Sequence, residues 1–209
     1  MKIIFFGDSN TWGYDWRTGE RLCDRFTAQI ARAKPQWTVI EEGLNGRQLY
    51  SRNPFVWDTG CHHIEGVLKR HHDADLIVIG LGANDARRMC ATTMEEWTRH
   101  LDIFLDKLEE SLAKYSRMQV LLVTPPMISD EAMRSENVRT VFGDSGRQIL
   151  IEAQSEICAA AAKRGYWSLR CDAFGLYGCA EDGVHLEIES HTELARWLVQ
   201  TIENIEQAH

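Results

Sequence analysis

The chain has 209 residues, a net charge of -8 and 44% hydrophobic against 26% charged residues. That length can bury the core of one domain without staples, so a single domain over residues 1–209 is expected. The acidic balance argues against a nucleic-acid partner, and no apolar run approaches a membrane span, so neither nucleic acid nor membrane is expected as a partner.

Taken in order, the chain alternates between strand and helix patterns. Ile3–Phe6 is an apolar run of strand length, broken by Gly7 and followed by Asp8-Ser9-Asn10-Thr11-Trp12-Gly13. Gly7 is expected to supply backbone angles closed to other residues. Arg21–Ala33 has helical apolar spacing at Leu22, Phe26, Ile30 and Ala33 and stops before Pro35. Thr38–Ile40 is a second short strand, followed by the loop Gly43-Leu44-Asn45-Gly46-Arg47. Residues 48–60 read as irregular, and a helix is expected from Cys61 to His72. Leu76–Ile79 is the clearest strand, with Gly80–Asp85 as its loop. Met94–Tyr115 carries Trp97, Leu101, Phe104, Leu105, Leu108 and Leu112 along one helical stripe. Val120–Val123 is a fourth strand, halted by Pro125-Pro126. Residues 127–144 have mixed polarity and no clear periodicity. Ser145–Arg164 reads as a helix, Tyr166–Leu169 as a fifth strand, and Ser190–Ile205 as a closing helix. Strands separated by helices imply βαβ units, a parallel sheet and helices on both of its faces.

The cysteines Cys23, Cys61, Cys90, Cys158, Cys171 and Cys179 contain no CxxC pair, which speaks against a zinc knuckle. The first residues lack the layout of a signal peptide, so reduced thiols and a cytoplasmic location are expected. A Cys171–Cys179 bridge stays open.

The candidate polar residues follow strands: Ser9 the first, Gly46 the second, Asn84 the third, Asp182 and His185 the fifth. In a parallel sheet such loops share one edge, where residues distant in sequence converge. The chemistry that uses this set is acyl transfer. Ser9 attacks a carbonyl, His185 takes its proton, and Asp182 holds the imidazole in the right tautomer. The N–H groups of Ser9 and Gly46 and the Asn84 amide can receive the oxyanion. Gly46, lacking a Cβ, is expected to let its loop approach closely.

Gly-Asp-Ser-Asn-Thr at 7–11, Gly-Leu-Asn-Gly-Arg at 43–47, Gly-Ala-Asn-Asp at 82–85 and Asp-Gly-Val-His at 182–185 resemble the four ordered blocks of the SGNH (GDSL-type) hydrolases. The usual leucine of the first block is Asn10 here. The resemblance implies a three-layer α/β/α flavodoxin-like fold with five parallel strands, and esterase or lipase activity without metal or other cofactor. It carries over Ser9 as nucleophile, Asp182 and His185 as its partners, and Gly46 and Asn84 as oxyanion donors. Gly-Asp-Ser-x-Thr-Trp-Gly with Glu-Gly-Leu-x-x-Arg further resembles the branch of arylesterases and acyltransferases that act on small acyl groups.

Competing readings attach to several residues. Asn84 and Asp85 could cap the next helix. His62-His63 and His71-His72 are read as solvated helix residues, since adjacent histidines rarely face one ion. Trp12 and Trp57 are candidate substrate-binding residues, with core packing as the alternative; Trp16 is open in the same way. Arg47 is read as tying its own loop. The expected substrate is a small ester: aryl or short alkyl esters, acetylated sugars, thioesters and lysophospholipids remain open. A non-catalytic carbohydrate- or lipid-binding domain is the competing class, and loss of a triad residue would mark it; none is lost. Segments 48–60 and 127–144 are expected to wall the site with Leu49, Tyr50, Phe55, Trp57, Met127, Ile128, Met133, Val138, Val141 and Phe142. A homo-oligomer is the expected partner relationship, a neighbouring copy covering part of this apolar set.

Overall fold

The computed structural model describes residues 1–90, 93–115 and 118–208. Five strands, β1 (Lys2–Gly7), β2 (Thr38–Gly43), β3 (Leu76–Gly80), β4 (Gln119–Val123) and β5 (Trp167–Leu169), pair in parallel in the order β2-β1-β3-β4-β5. This is the flavodoxin-like strand order. Among the described residues seven α-helices accompany them: α1 (Ser9–Trp12), α2 (Phe26–Ala33), α3 (Gly60–Arg70), α4 (Met94–Tyr115), α5 (Glu136–Val141), α6 (Gly143–Arg164) and α7 (Ile188–Gln207). Among the described residues no helix is long and apolar enough to cross a membrane.

The three layers follow from the period of two along β1. Ile3 and Phe5 pack with Phe26 and Ile30 of α2 and with Leu194, Leu198 and Ile202 of α7. Ile4 and Phe6 face the other way, onto Ile64 and Leu68 of α3, Phe104 and Leu108 of α4, and Ala153 of α6. Phe6 and Phe104 stack with ring centroids 6.3 Å apart. Each such fully buried side chain contributes about 1.5–3 kcal/mol of apolar burial.

Register decides where the loops emerge. Gly7 lies level with Gly43 on one side and Gly80 on the other, and Gly80 lies level with Val123, itself opposite Leu169. All five strands therefore release their following loops at one edge.

Several elements differ from the expectation. Strand β2 extends beyond Ile40 to Gly43, because edge-strand carboxylates find cations on both faces of the sheet. Glu41 pairs with Arg21 and Arg25, and Glu42 with Arg70 and His71. Helix α2 starts at Phe26, not Arg21. Upstream, Leu22 N–H donates to Gly13 O, and Arg21 bridges to Tyr14, so this segment belongs to the turn after α1. Residues 127–144 are structured, with α5 preceding α6. Of the ten apolar residues expected to wall the site, Leu49, Ile128, Val138 and Phe142 are core instead, while Phe55 and Trp57 are exposed. No disulfide links the cysteines: Cys171 Sγ donates to Thr124 O, and Cys179 Sγ to Asp182 Oδ1.

Candidate active site

The chain turns from β1 into α1 in a single residue. Asp8 caps the helix by accepting the Asn10 N–H at 3.0 Å, and Ser9 is the first helical residue. Gly7 permits this turn by its size rather than its backbone angles. A Cβ there would lie 2.0 Å from Thr11 Oγ1 and 2.8 Å from Gly80 O. Gly46 shows the reverse. A Cβ there would meet nothing within 4 Å, but its φ of +78° favours glycine.

Ser9, His185 and Asp182 meet at this edge. Ser9 Oγ lies 2.9 Å from His185 Nε2, and His185 Nδ1 lies 2.6 Å from Asp182 Oδ2. The second carboxylate oxygen, Asp182 Oδ1, accepts the backbone N–H groups of Val184 and His185 at 3.1 and 3.0 Å. Burial opposes ionisation of Asp182, but the hydrogen bond and charge of His185 outweigh it and hold the carboxyl down at about 2. Asp182 is thus an ionised acceptor that fixes which ring nitrogen of His185 faces the serine. Burial pushes the Cys179 thiol, on the same carboxylate, up to about 12.

The oxyanion candidates are held from below. Asn84 is buried, and its Nδ2 donates to Arg47 O at 3.1 Å. An amide nitrogen carries two hydrogens, so one further donor remains. Arg47 ties its loop, as expected: its Nη1 donates to Gly7 O at 2.8 Å and Glu42 O at 2.5 Å, and its guanidinium lies 4.2 Å from the Phe6 ring centroid. Burial lowers this guanidinium to about 10. Asp85 accepts the Leu49 N–H with both oxygens, at 3.2 and 3.0 Å, and so shapes the loop beyond Arg47.

The aromatic candidates fall elsewhere. Trp12 packs with Tyr14, at 6.4 Å, and under Arg21, at 5.6 Å. Trp57 is 68% exposed and lies against His62. Trp16 donates to Glu187 Oε1 at 2.9 Å. The ring packed against His185 belongs to Tyr14, with centroids 4.6 Å apart and the planes tilted by 39°. Sequence reasoning missed Tyr14 because nothing in its spacing distinguishes it from a turn residue. The paired histidines are dispersed: His62 contacts Thr59, His63 lies near Asp58, and His71 pairs with Glu42. Among the described residues, Cys179, Glu181 and Glu187 bring metal-ligating atoms within 4.8 Å of one another. Cys179 and Glu187 already have protein partners in Asp182 and Trp16.

The match to the family model "GDSL-like Lipase/Acylhydrolase" runs over residues 3–198. Among solved structures, the chain is similar to the native aryl esterase of M. smegmatis, at 23% identity and a TM-score of 0.83, over 97% of this chain and 98% of that one. It is similar to Est24, a carbohydrate acetylesterase from Sinorhizobium meliloti, at 22% identity and a TM-score of 0.80, over 98% and 99%. A carbohydrate acetylesterase family member from the same organism matches at 25% identity with a TM-score of 0.80, over 96% of both chains. No sequence among curated proteins is significantly similar. The chain belongs to the GDSL-like lipase/acylhydrolase family and is, in class, a serine ester hydrolase.

Proposed function

We propose that the protein cleaves short-chain acyl esters through an acyl-enzyme on Ser9. The observation that carries this reading is the unbroken relay from Ser9 Oγ through both ring nitrogens of His185 to Asp182, at 2.9 and 2.6 Å.

Ser9 Oγ attacks the ester carbonyl carbon while its proton passes to His185 Nε2. The negative charge that develops on the carbonyl oxygen is met by the N–H of Ser9, the N–H of Gly46 and the remaining Asn84 amide hydrogen. The carbon–oxygen bond to the alcohol then breaks, and His185 returns the proton to that alkoxide. Water, deprotonated by His185, attacks the acyl-enzyme; the acid leaves and Ser9 recovers its proton. Asp182 keeps its negative charge throughout and stabilises the imidazolium.

A cavity of about 320 Å³ lies between the 48–56 segment and the start of α4, lined by polar groups such as Gln48, Arg52, Asp85 and His100 and by the apolar Val56 and Met89. This cavity reaches Asp85, the chain neighbour of Asn84, and is proposed to receive the alcohol half; the similarity to Est24, a carbohydrate acetylesterase, supports a sugar acetyl ester as one such substrate. The similarity to the M. smegmatis aryl esterase supports an aryl ester as the other. Phe55 and Met89, 86% and 83% exposed, are assigned to a homo-oligomer contact that light scattering tests. The cytoplasm is the proposed compartment.

The test is a chain-length series of p-nitrophenyl esters on wild type, Ser9→Ala, His185→Ala and the double variant, then a panel of acetylated sugars. Each single variant should lose several powers of ten in turnover, and the double no more than the worse of the two. Faster cleavage of octanoyl than acetyl esters overturns the short-chain reading. A Ser9→Ala enzyme with more than about a tenth of wild-type turnover overturns the nucleophile.

A further inference from the structure

Asn10 stands where the family's first block usually has leucine, and its side chain spans to the loop after β5. Asn10 Nδ2 donates to Val184 O at 2.9 Å, and Asn10 Oδ1 accepts the Leu186 N–H at 3.0 Å. These two backbone groups flank His185 and no other residue. The backbone of Asn10 is itself pinned, since its N–H donates to Asp8 Oδ1. The amide therefore pairs with the chain on both sides of the base, much as a neighbouring strand would, from the residue next to the nucleophile.

The other contacts of His185 divide into two kinds. Asp182 binds the imidazole and the N–H groups of Val184 and His185, and Cys179 N–H donates to His185 O. All of these lie within the 179–186 loop, so they shape the loop without fixing it relative to Ser9. Contacts that cross to the 9–16 segment are the Ser9–His185 hydrogen bond, the Tyr14 ring, the Trp16–Glu187 bond two residues further on, and the Asn10 pair. Once Ser9 is acylated, Oγ is an ester oxygen with no hydrogen to donate, and the Ser9–His185 tie is weakened. The Asn10 pair persists in that state, when His185 must hold position to activate water.

We infer that Asn10 is a positioning residue that clamps the His185 loop to α1 and matters most in deacylation. This rests on the proposed acyl-enzyme on Ser9. Leucine has nearly the same shape but can make neither hydrogen bond. A displacement of about 1 Å at a reacting group can cost roughly 100-fold in rate.

The experiment compares wild type, Asn10→Leu and Asn10→Ala on p-nitrophenyl acetate, with pre-steady-state bursts, mass spectrometry of the quenched enzyme and thermal melts. Asn10→Leu should lower kcat by about tenfold or more, with KM unchanged or lowered, because the acetyl-enzyme accumulates. A burst and an acetyl adduct on Ser9 should be larger in the variant than in wild type. If Asn10→Leu does not fold, Asn10→Ala, which only shortens the side chain, gives the same readout. A folded variant with kcat within about twofold of wild type overturns the clamp. Equal slowing of acylation and deacylation also overturns it, reducing Asn10 to a contact of general stability. Ser9→Ala serves as the control: if it stays active, the nucleophile reading falls and the clamp with it, whereas an inactive Ser9→Ala beside an unaffected Asn10→Leu removes the clamp alone.

Discussion

Replacing Asp182 by asparagine isolates the charge behind His185. The folded protein holds the Asp182 carboxyl at about 2 instead of the 3.8 of an unperturbed aspartate, against a burial effect of opposite sign. The interval is net of burial, which raises the value, and of the His185 side chain and the backbone N–H groups of His185 and Val184, which lower it, so it gives the scale of the stabilisation around this carboxylate. At 1.36 kcal/mol for each tenfold in proton affinity, that scale is about 2 kcal/mol, or on the order of 30-fold in rate if most of it acts on an imidazolium formed in the transition state. Asparagine presents the same outline with no charge. Its amide can also offer a hydrogen to Nδ1 and select the wrong tautomer, which adds to the loss. The expected result is a fall in kcat on p-nitrophenyl acetate of about 30-fold or more, with little change in KM. The same pair predicts a stability effect of definite sign. A carboxyl with a depressed folded pKa stabilises the fold above about pH 4 and loses that contribution as pH falls from about 4 to about 2. Urea titrations should therefore find Asp182→Asn less stable than wild type at neutral pH, with the difference closing in acid. A kcat loss of less than about tenfold would refute the reasoning, since the charge would then not act on the reacting imidazole.

Asn84→Ala should lower kcat by about 100-fold with KM nearly unchanged, measured on the same ester; a rise in KM alone would make Asn84 a ground-state contact. Asp8 behaves oppositely to Asp182: burial raises its carboxyl from 3.8 to about 6, so the fold gains stability below about pH 4 and loses it between about pH 4 and 6. Asp8→Asn, which keeps a capping oxygen, should thus be more stable than wild type at pH 8 by up to about 3 kcal/mol in urea melts, with no such gain at pH 4. Chelation with EDTA should leave ester turnover unchanged, and loss of activity restored by zinc would point instead to Cys179, Glu181 and Glu187.

The sequence by itself determined the βαβ alternation and the blocks that meet at the sheet edge, because apolar periodicity and strand-to-glycine junctions are local properties. Ser9, Asp182 and His185 were legible for the same reason: a strand end places its next residue at the shared edge, and a three-residue spacing lets Asp182 reach both His185 Nδ1 and its backbone N–H. The role of Arg47 as a loop tie was legible too. The reasons for the two glycines were not, since a Cβ clash depends on what lies across the gap, and here Gly7 meets Thr11 while Gly46 meets nothing. The start of α2 moved to Phe26 because Arg21 and Arg25 are drawn to Glu41 on a strand over ten residues away. Tyr14 against His185 and the Asn10 bonds to Val184 and Leu186 join residues more than 170 positions apart. Only the tertiary structure decides such contacts, because the packing of α1 against the loop after β5 brings them within reach, and no local propensity encodes that approach.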